Sequence, residues 1–430
     1  MWRYPTGEAQ DGSISFGFMG NQFSNIEIVS VLDRMVESRE DANWSMGVGG
    51  SVYAAPLVHG GVIYFGSCDK NFYAIDAETG KEIWKFPVGG VILSTAAIDS
   101  GIIYFGCYDG CMYAVSLDGG LVWKFDTGDK INCDPLVWKD GVYFGSRNGN
   151  IYAVEKSSGR LAWKLATNGP ISSSAAIGSG VLYIGSNDEN LYAIDAETGK
   201  MIWKFHANGA VRHKIAVWDG KVIFGSLDGN MRAVDAQGRL LWRFQARDGI
   251  GTMPRVFGNA LYFGSRDMNL YKLDGNGRLV WRYRARGYPN DSIVIDGHVY
   301  FGCCENDLYV LDDRTGSEMC TMPTNGFVVQ FAWQDGRIFF GSWGCSVYSA
   351  TPEGKLLWRF DTSMSTQAPV EPEEGSKAKL AEVVWRFEEE SQANKPDDEI
   401  HLADYGTFSG TYIDVTRTGY LGVRKKGYRS

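Results

Sequence analysis

The most distinctive polar run in the sequence is Arg212-His213-Lys214, which places three cationic or titratable side chains side by side. Guanidinium and ammonium groups form strong, charge-assisted hydrogen bonds with carboxylates and phosphates. The run therefore predicts contact with an anion or an acidic peptide. An alternative interpretation is that these residues are solvated or line a channel, where they balance the carboxylates of Asp134 and Asp291.

Groupings that would indicate an enzyme are scarce. The five histidines form no ligand motif, no C-x-x-C pair occurs, and the sequence contains neither a phosphate-cradling loop nor a zinc-protease helix motif.

Cys303 and Cys304 are adjacent, and four more cysteines fall at related turns of a repeat, namely Cys68, Cys107, Cys111 and Cys345. A soft-metal or redox site is one interpretation and ordinary buried thiols are the other. We expect no metal site, no cofactor and no catalytic residue.

Charge and hydropathy limit the partners that the chain can have. The 430 residues carry a formal net charge of −9, which argues against a general nucleic-acid surface. The basic end, residues 417–430, is either a solvated tail or a contact for RNA or an acidic partner.

The first residues, Met1-Trp2-Arg3-Tyr4-Pro5, contain no apolar segment of a secretory signal. No apolar run of about 18 residues occurs either, so we expect a cytoplasmic protein that does not enter a membrane.

Most of the candidate residues lie in a sequence repeat, and this repeat predicts the fold. The segment Tyr64-Phe65-Gly66-Ser67 recurs in eight copies, with the glycines 38 to 40 residues apart. Each copy contains four short strand-like segments separated by Gly or Asn turns, as expected of one propeller blade. A tryptophan follows the glycine in seven of the copies: Trp84, Trp123, Trp163, Trp203, Trp242, Trp281 and Trp358. Cys320 occupies its place in copy seven, so we expect that blade to be docked least tightly.

The segment Leu191-Tyr192-Ala193-Ile194-Asp195-Ala196-Glu197-Thr198-Gly199-Lys200, followed by Trp203, resembles the pyrroloquinoline-quinone-like repeat. Quinoprotein dehydrogenases and the BamB family share this repeat. The resemblance implies an all-β, eight-bladed β-propeller with four-stranded blades whose tryptophans dock blade on blade. It does not imply quinone binding. Some of those dehydrogenases carry a vicinal disulfide beside the cofactor, but here Cys303 simply fills the place of Ser67.

The resemblance divides the chain into three parts. Residues 46–361 form the propeller. Residues 1–45 are an N-terminal extension, in which Ser24-x-x-Glu27 predicts an amphipathic helix over about 25–38 and a further segment is a candidate strand that closes the ring. Residues 362–430 form a C-terminal extension with a linker, a segment that is either a helix or a blade strand, short strands and the basic tail.

The first strand of each blade lines the axis of a propeller, so variable residues there are candidates for binding. We predict innermost strands near 52–58, 93–98, 132–138, 172–177, 212–218, 252–257, 290–295 and 328–333. The candidate binding residues are Asn132, Asp134, Arg212, His213, Lys214, Arg255, Asn290, Asp291 and Gln330. Because Arg212, His213, Lys214 and Arg255 come from consecutive blades, they predict a locally positive side of the channel that attracts a carboxylate, phosphate or acidic peptide.

The functional hypothesis is a non-catalytic protein-interaction scaffold built on the propeller. It is the role that BamB-like relatives imply by resemblance, and it predicts a protein partner. The alternative is a quinone-dependent or other oxidoreductase that uses the central channel.

Overall fold

The computed structural model describes residues 50–303, 307–324, 326–352 and 355–362, and within these ranges the regular structure consists of β-strands. They form eight four-stranded sheets, in each of which antiparallel strands pair in chain order. The first strands lie against each other in most pairs of successive sheets, and the last sheet packs against the first. The sheets are therefore the blades of a closed ring, and the predicted eight-bladed β-propeller is confirmed. The described residues contain no helix that is long and apolar enough to cross a membrane.

Every blade contributes one strand to each of four layers, counted outward from the axis. The innermost strands are β1 Leu57–His59, β5 Ala97–Asp99, β9 Leu136–Trp138, β13 Ala176–Gly178, β17 Ala216–Trp218, β21 Arg255–Phe257, β25 Pro289–Ile295 and β29 Val328–Gln334. The second strands are β2 Val62–Gly66, β6 Ile102–Gly106, β10 Gly141–Gly145, β14 Val181–Gly185, β18 Lys221–Gly225, β22 Ala260–Gly264, β26 His298–Cys303 and β30 Arg337–Ser342.

The two outer layers complete the blades. The third strands are β3 Asn71–Asp76, β7 Cys111–Ser116, β11 Asn150–Glu155, β15 Asn190–Asp195, β19 Asn230–Val234, β23 Asn269–Asp274, β27 Asp307–Asp312 and β31 Ser346–Ala350. The outermost strands are β4 Glu82–Pro87, β8 Leu121–Asp126, β12 Leu161–Ala166, β16 Met201–His206, β20 Leu240–Gln245, β24 Leu279–Arg284, β28 Glu318–Pro323 and β32 Leu356–Asp361.

In blades one to six the innermost strands begin later than the sequence predicted. A strand was expected over 132–138 in blade three, but β9 covers only Leu136–Trp138. The preceding residues bond to the neighbouring blade instead, since the Ile131 amide donates to the Cys107 carbonyl at 3.1 Å. In blades seven and eight the innermost strands are longer and include the predicted ranges 290–295 and 328–333.

The repeated glycine of each second strand faces a residue of the segment that leads into the next blade. A Cβ atom on Gly145 would lie 2.0 Å from Ile171 Cγ2, and one on Gly185 would lie 2.4 Å from Val211 Cγ1. Because these distances are far below van der Waals contact, only glycine fits in a close-packed junction. We call the facing residues the plug residues; they are Val52, Ile92, Ile131, Ile171, Val211, Ile250, Pro289 and Val328.

The repeated tryptophans lie where each blade meets the next. Trp163 donates its indole N–H to the Ala196 carbonyl at 3.0 Å. Its ring lies on Gly199, whose φ of +71° favours glycine and whose added Cβ would meet the ring at 2.6 Å. The same hydrogen bond across a blade junction is formed by Trp84, Trp123, Trp203, Trp281 and Trp358. The Trp242 ring makes the equivalent glycine contact, although its Nε1 has no partner in the described part of the chain.

Blade seven replaces this contact with a smaller one. Cys320 stands in place of the tryptophan and is buried together with Met322. The hydroxyl of Tyr300 donates to the Pro352 carbonyl of blade eight at 3.1 Å, so a hydrogen bond across this junction is retained. An indole ring would still bury more apolar area than these side chains do.

We expect the junction between blades seven and eight to be the weakest in the ring, because the missing aromatic contact would cost about 1–3 kcal/mol. Hydrogen exchange followed by mass spectrometry should show faster exchange in β25–β28 than in the matching strands of the other blades. Exchange in blade seven as slow as in the other blades, or slower, would contradict this prediction.

Blade eight takes all four strands from one continuous stretch, and blade one meets it directly. The Val52 amide donates to the Ser342 carbonyl at 3.1 Å, and Trp358 Nε1 donates to the Ala77 carbonyl at 3.0 Å. The predicted helix over 25–38, the candidate ring-closing strand and residues 363–430 lie outside the described residues.

Candidate binding site at the channel and its mouth

A chain of hydrogen bonds runs around the channel through equivalent positions of four blades. The Ala55 amide donates to Thr95 Oγ1 at 3.3 Å, and the Thr95 amide donates to Asp134 Oδ1 at 2.8 Å. The Asp134 amide then donates to Ser174 Oγ at 2.9 Å. Each side chain satisfies the backbone of the preceding blade, so the relay ties blades one to four together at the axis.

Blade eight joins this relay through Gln330. Its Oε1 accepts hydrogen bonds from the Ala55 amide and the Thr95 hydroxyl, both at 3.0 Å. The structure therefore brings two of the predicted channel residues, Gln330 and Asp134, into one polar ring.

Two ion pairs add charge to this ring. Lys214 Nζ lies 3.5 Å from Asp134 Oδ2, which links blades five and three. Arg255 Nε donates to Asp291 Oδ1 at 2.7 Å, and a second guanidinium nitrogen contacts the other carboxylate oxygen. The charge of Asp291, with a smaller contribution from Asp134, raises the pKa of Arg255.

These pairs change the expected electrostatics of the channel. Lys214 and Arg255 each face a carboxylate, so their positive charge is compensated. This corrects the expectation that they make one side of the channel positive. Their contacts match the alternative interpretation, in which basic residues balance Asp134 and Asp291.

At one end of the channel, residues of two kinds form a rim that we call the mouth. One kind follows a plug residue, and the other opens the turn between the second and third strands of a blade. The main chain of each such turn is held by the residue that precedes a plug residue: the Arg147 amide donates to the Lys130 carbonyl, and the Asn187 amide to the Pro170 carbonyl, both at 3.0 Å. The described mouth residues are Tyr53, Cys68, Leu93, Tyr108, Asn132, Arg147, Ser172, Asn187, Arg212, Leu227, Gly251, Arg266, Asn290, Val329 and Trp343. Leu93, Tyr108, Asn290 and Val329 are buried in the rim, and the others are partly exposed.

The basic part of the mouth surrounds His213. Burial and the charges of Arg266 and Arg212 lower the pKa of His213 to about 4, so the imidazole is neutral at neutral pH. Arg212 Nε donates to Asn187 Oδ1 at 3.0 Å. His213 Nε2 and Arg266 Nε are buried and have no hydrogen-bond partner among the residues that the structure describes.

The aromatic part of the mouth lies where blades eight and one meet. The ring of Trp343 is 5.9 Å from that of Tyr53 and 5.3 Å from that of Phe327. All three side chains are partly exposed. Trp343 Nε1 is buried and finds no acceptor in the described ranges. Clustered aromatic side chains with a polar atom are enriched at protein interfaces.

The predicted binding residues thus separate into two levels. Asp134, Lys214, Arg255, Asp291 and Gln330 meet inside the channel. Asn132, Arg212 and Asn290 are mouth residues, and His213 directly follows Arg212 in the chain. Asn290 is buried, and its Nδ2 donates to the Val328 carbonyl at 2.9 Å, which gives it a structural role between blades. Asn132 is partly exposed, and its Oδ1 has no partner in the described chain.

Sequence reasoning missed Thr95, Tyr53, Arg266 and Trp343. A periodic signal would have found two of them. Arg266 and Trp343 directly follow the Ser of the repeated segment, at a position that holds Cys, Tyr, Arg, Asn, Leu or Trp in the different copies, whereas the preceding position is Ser or Cys in all eight. That variation is the pattern of a binding surface on a rigid frame.

The cysteines do not form a metal centre in the described part of the chain, where no group of three or more His, Cys, Asp or Glu side chains is placed to hold an ion. Burial raises the pKa of Cys68 and of Cys133 to about 12, so both are protonated at neutral pH. Cys304 lies outside the described residues.

The propeller has known relatives. A family model described as outer membrane protein assembly factor BamB matches residues 31–166, 147–284 and 228–322. BamB from Moraxella catarrhalis superimposes with a TM-score of 0.60 at 18% identity, over 67% of this chain and 92% of that one. The computationally designed Ika8 protein gives a TM-score of 0.62 at 16% identity, over 68% and 94%.

No curated protein matches the sequence. The two solved structures share the fold. The family model covers well over half of the residues. The chain therefore belongs to the BamB-like family of pyrroloquinoline-quinone-like repeat propellers.

Proposed function

We propose that this chain is a non-catalytic protein-interaction module and that its mouth binds a segment of the partner. The observation that carries the proposal is a set of three buried polar atoms on different blades, Asn132 Oδ1, Arg266 Nε and Trp343 Nε1, which have no hydrogen-bond partner among the described residues. Each such atom costs about 1–3 kcal/mol. The three side chains are partly exposed, so a small rotation would let a bound chain supply the partners.

The rigidity of the mouth supports this proposal. Its turns are fixed by backbone hydrogen bonds between blades, such as that from the Arg266 amide to the Gly249 carbonyl at 3.0 Å. The repeated glycines and plug residues leave no room for these segments to shift. A surface that is already ordered loses little conformational entropy on binding.

Family membership supports the same role at a coarser level. The name of the matching family describes an assembly factor, which is a protein that works through contacts with other proteins. The particular partner, the acidic peptide or anion, and the cytoplasmic location expected from the sequence stay predictions.

The alternative, an oxidoreductase that uses the channel, is not favoured. The carboxylates of Asp134 and Asp291 would be the natural ligands of a cofactor or metal in the channel, but Lys214 and Arg255 engage them. A cofactor would have to break these pairs. Absorbance during titration with pyrroloquinoline quinone separates the two functions, since tight stoichiometric binding would favour the oxidoreductase.

We expect Trp343→Ala to weaken binding of the partner by about 10- to 100-fold, because interface tryptophans often carry 2 kcal/mol or more. The partner is first isolated on the immobilised full chain and identified by mass spectrometry, and its affinity is then measured for each variant. Leu241→Ser is the matched control, because Leu241 is an exposed apolar residue, 48% accessible, on the outermost strand β20.

The control should bind as the unmodified chain does. Thermal unfolding of both variants shows whether the ring is intact. A partner that binds Trp343→Ala and Leu241→Ser equally well would contradict the assignment of the mouth, and the absence of any stoichiometric partner would contradict the interaction role itself.

A further inference from the structure

The mouth contains an arginine, Arg266, whose guanidinium group is not paired with any of the described residues. Arg266 opens the turn between β22 and β23, and its side chain forms no hydrogen bond or ion pair with the described part of the chain, with Nε buried. A guanidinium carries five N–H donors in a planar fork that matches the two oxygens of a carboxylate or phosphate. The unused donors therefore point to an oxyanion as the missing partner.

Two glycines beside Arg266 determine where its side chain lies. At the position that follows the plug residue, blade five carries Arg212 and blade three carries Asn132, but blade six carries Gly251. The stem of Arg266 lies over this glycine and over Gly249, with Cγ 3.6 Å and Cδ 3.3 Å from where their Cβ atoms would be. The two glycines let the stem of Arg266 pack directly on the main chain of the mouth, at the blade-six position that lies in sequence order between those of Arg212 and Asn290.

The charges near Arg266 favour a negative ligand. The positive charges of Arg266 and Arg212 both act on the imidazole of His213, and Arg212 and Gly251, on which the Arg266 stem lies, occupy matching positions in consecutive blades five and six. His213 is neutral at neutral pH, and its Nε2 has no hydrogen-bond partner among the described residues. The carboxylates of Asp134 and Asp291 lie in the channel and are engaged by Lys214 and Arg255.

We propose that Arg266, with Arg212 and His213 beside it, binds an oxyanion at the mouth, supplied either by an acidic side chain of a bound protein segment or by a free phosphate. The proposal rests on the proposed function for the first source, because the acidic side chain belongs to the partner. Two guanidinium groups and a polar imidazole in a partly buried setting bind a carboxylate far better than isolated surface charges do.

The test measures binding of three probes to the full chain by isothermal titration calorimetry. The probes are a hexaglutamate peptide, a hexaglutamine peptide of the same length, and inorganic phosphate. Each is measured with the unmodified chain, with Arg266→Gln and with Arg243→Gln. Arg243 is an exposed arginine on the outermost strand β20, so its variant makes the same change in net charge away from the mouth.

We expect hexaglutamate to bind the unmodified chain and the Arg243→Gln variant equally, and to bind Arg266→Gln about 10- to 100-fold more weakly. Hexaglutamine should not bind measurably. If phosphate shows the same dependence on Arg266 and hexaglutamate does not, the source is a free oxyanion. If both depend on it, the site accepts either source.

The proposal is overturned if neither anionic probe binds, or if Arg266→Gln and Arg243→Gln weaken binding equally. Failure here is distinct from failure of the interaction role. Binding of the partner to the unmodified chain, and weaker binding to Trp343→Ala, depend on the aromatic part of the mouth. Both results would still support the interaction role even if Arg266 bound no anion.

Discussion

Replacing Arg255 with methionine should lower the free energy of unfolding by about 2–3 kcal/mol. The Asp291 side chain is only 3% exposed, and the substitution leaves its carboxylate with the Ser292 amide as its remaining donor among the described residues. The Arg255 side chain is 39% exposed, so water screens part of the interaction, and the loss falls below the 3–5 kcal/mol typical of a fully buried pair. Urea unfolding followed by tryptophan fluorescence measures the change.

The matched control is Arg239→Met, which removes an arginine from an ion pair with Asp235 where the arginine side chain is 77% exposed. That variant should lose far less stability than Arg255→Met, because water screens an exposed pair. The double variant Arg255→Met with Asp291→Asn should recover part of the loss, because it no longer buries an unpaired charge. Equal losses in Arg255→Met and Arg239→Met would show that the channel pair contributes no more than a surface pair.

The architecture of the ring was predictable because each unit repeats the same steric constraints. The repeated glycine faces Ile171 at one blade junction, and its equivalent in the next blade faces Val211. Because the tryptophans are regularly spaced, each indole can donate to the equivalent carbonyl of the following blade. Such constraints require the same residue type at regular intervals along the chain, and a regular interval can be recognised from the sequence alone. Cys320 was recognised as an exception because it interrupts the regular series of tryptophans.

The channel contacts were less predictable because they join residues that no local pattern relates. Asp134 and Lys214 meet only because blades three and five converge on the axis. The direction of a side chain at the start of an innermost strand also depends on the strand register, and a slip of one residue reverses it. The strands of blades one to six start later than predicted, so Arg212 lies at the mouth while Lys214, two residues later, faces the channel.

The substitution Gly145→Ala should destabilise the propeller by about 3 kcal/mol, near the upper end for overpacking in a core. The added methyl group would lie 2.0 Å from Ile171 Cγ2 and 2.5 Å from Ile171 Cβ, and Ile171 is fully buried. The backbone cannot withdraw easily, because the Gly145 amide donates to Cys133 Sγ at 3.1 Å and its carbonyl accepts from the same thiol at 3.2 Å. Thermal and urea unfolding both report the loss.

A double-mutant cycle identifies the cause of that loss. Ile171→Ala alone removes buried apolar atoms and should cost about 2–5 kcal/mol. Combined with Gly145→Ala it should cost less than the sum, by more than about 1 kcal/mol, because the new methyl group fills the space that the isoleucine leaves. Gly251→Ala is the control, since the nearest atom to its added Cβ is Arg266 Cγ at 3.6 Å, and its stability should change by about 0.5 kcal/mol or less. Additive losses in the cycle would mean that the glycine is required for some reason other than its contact with the plug residue.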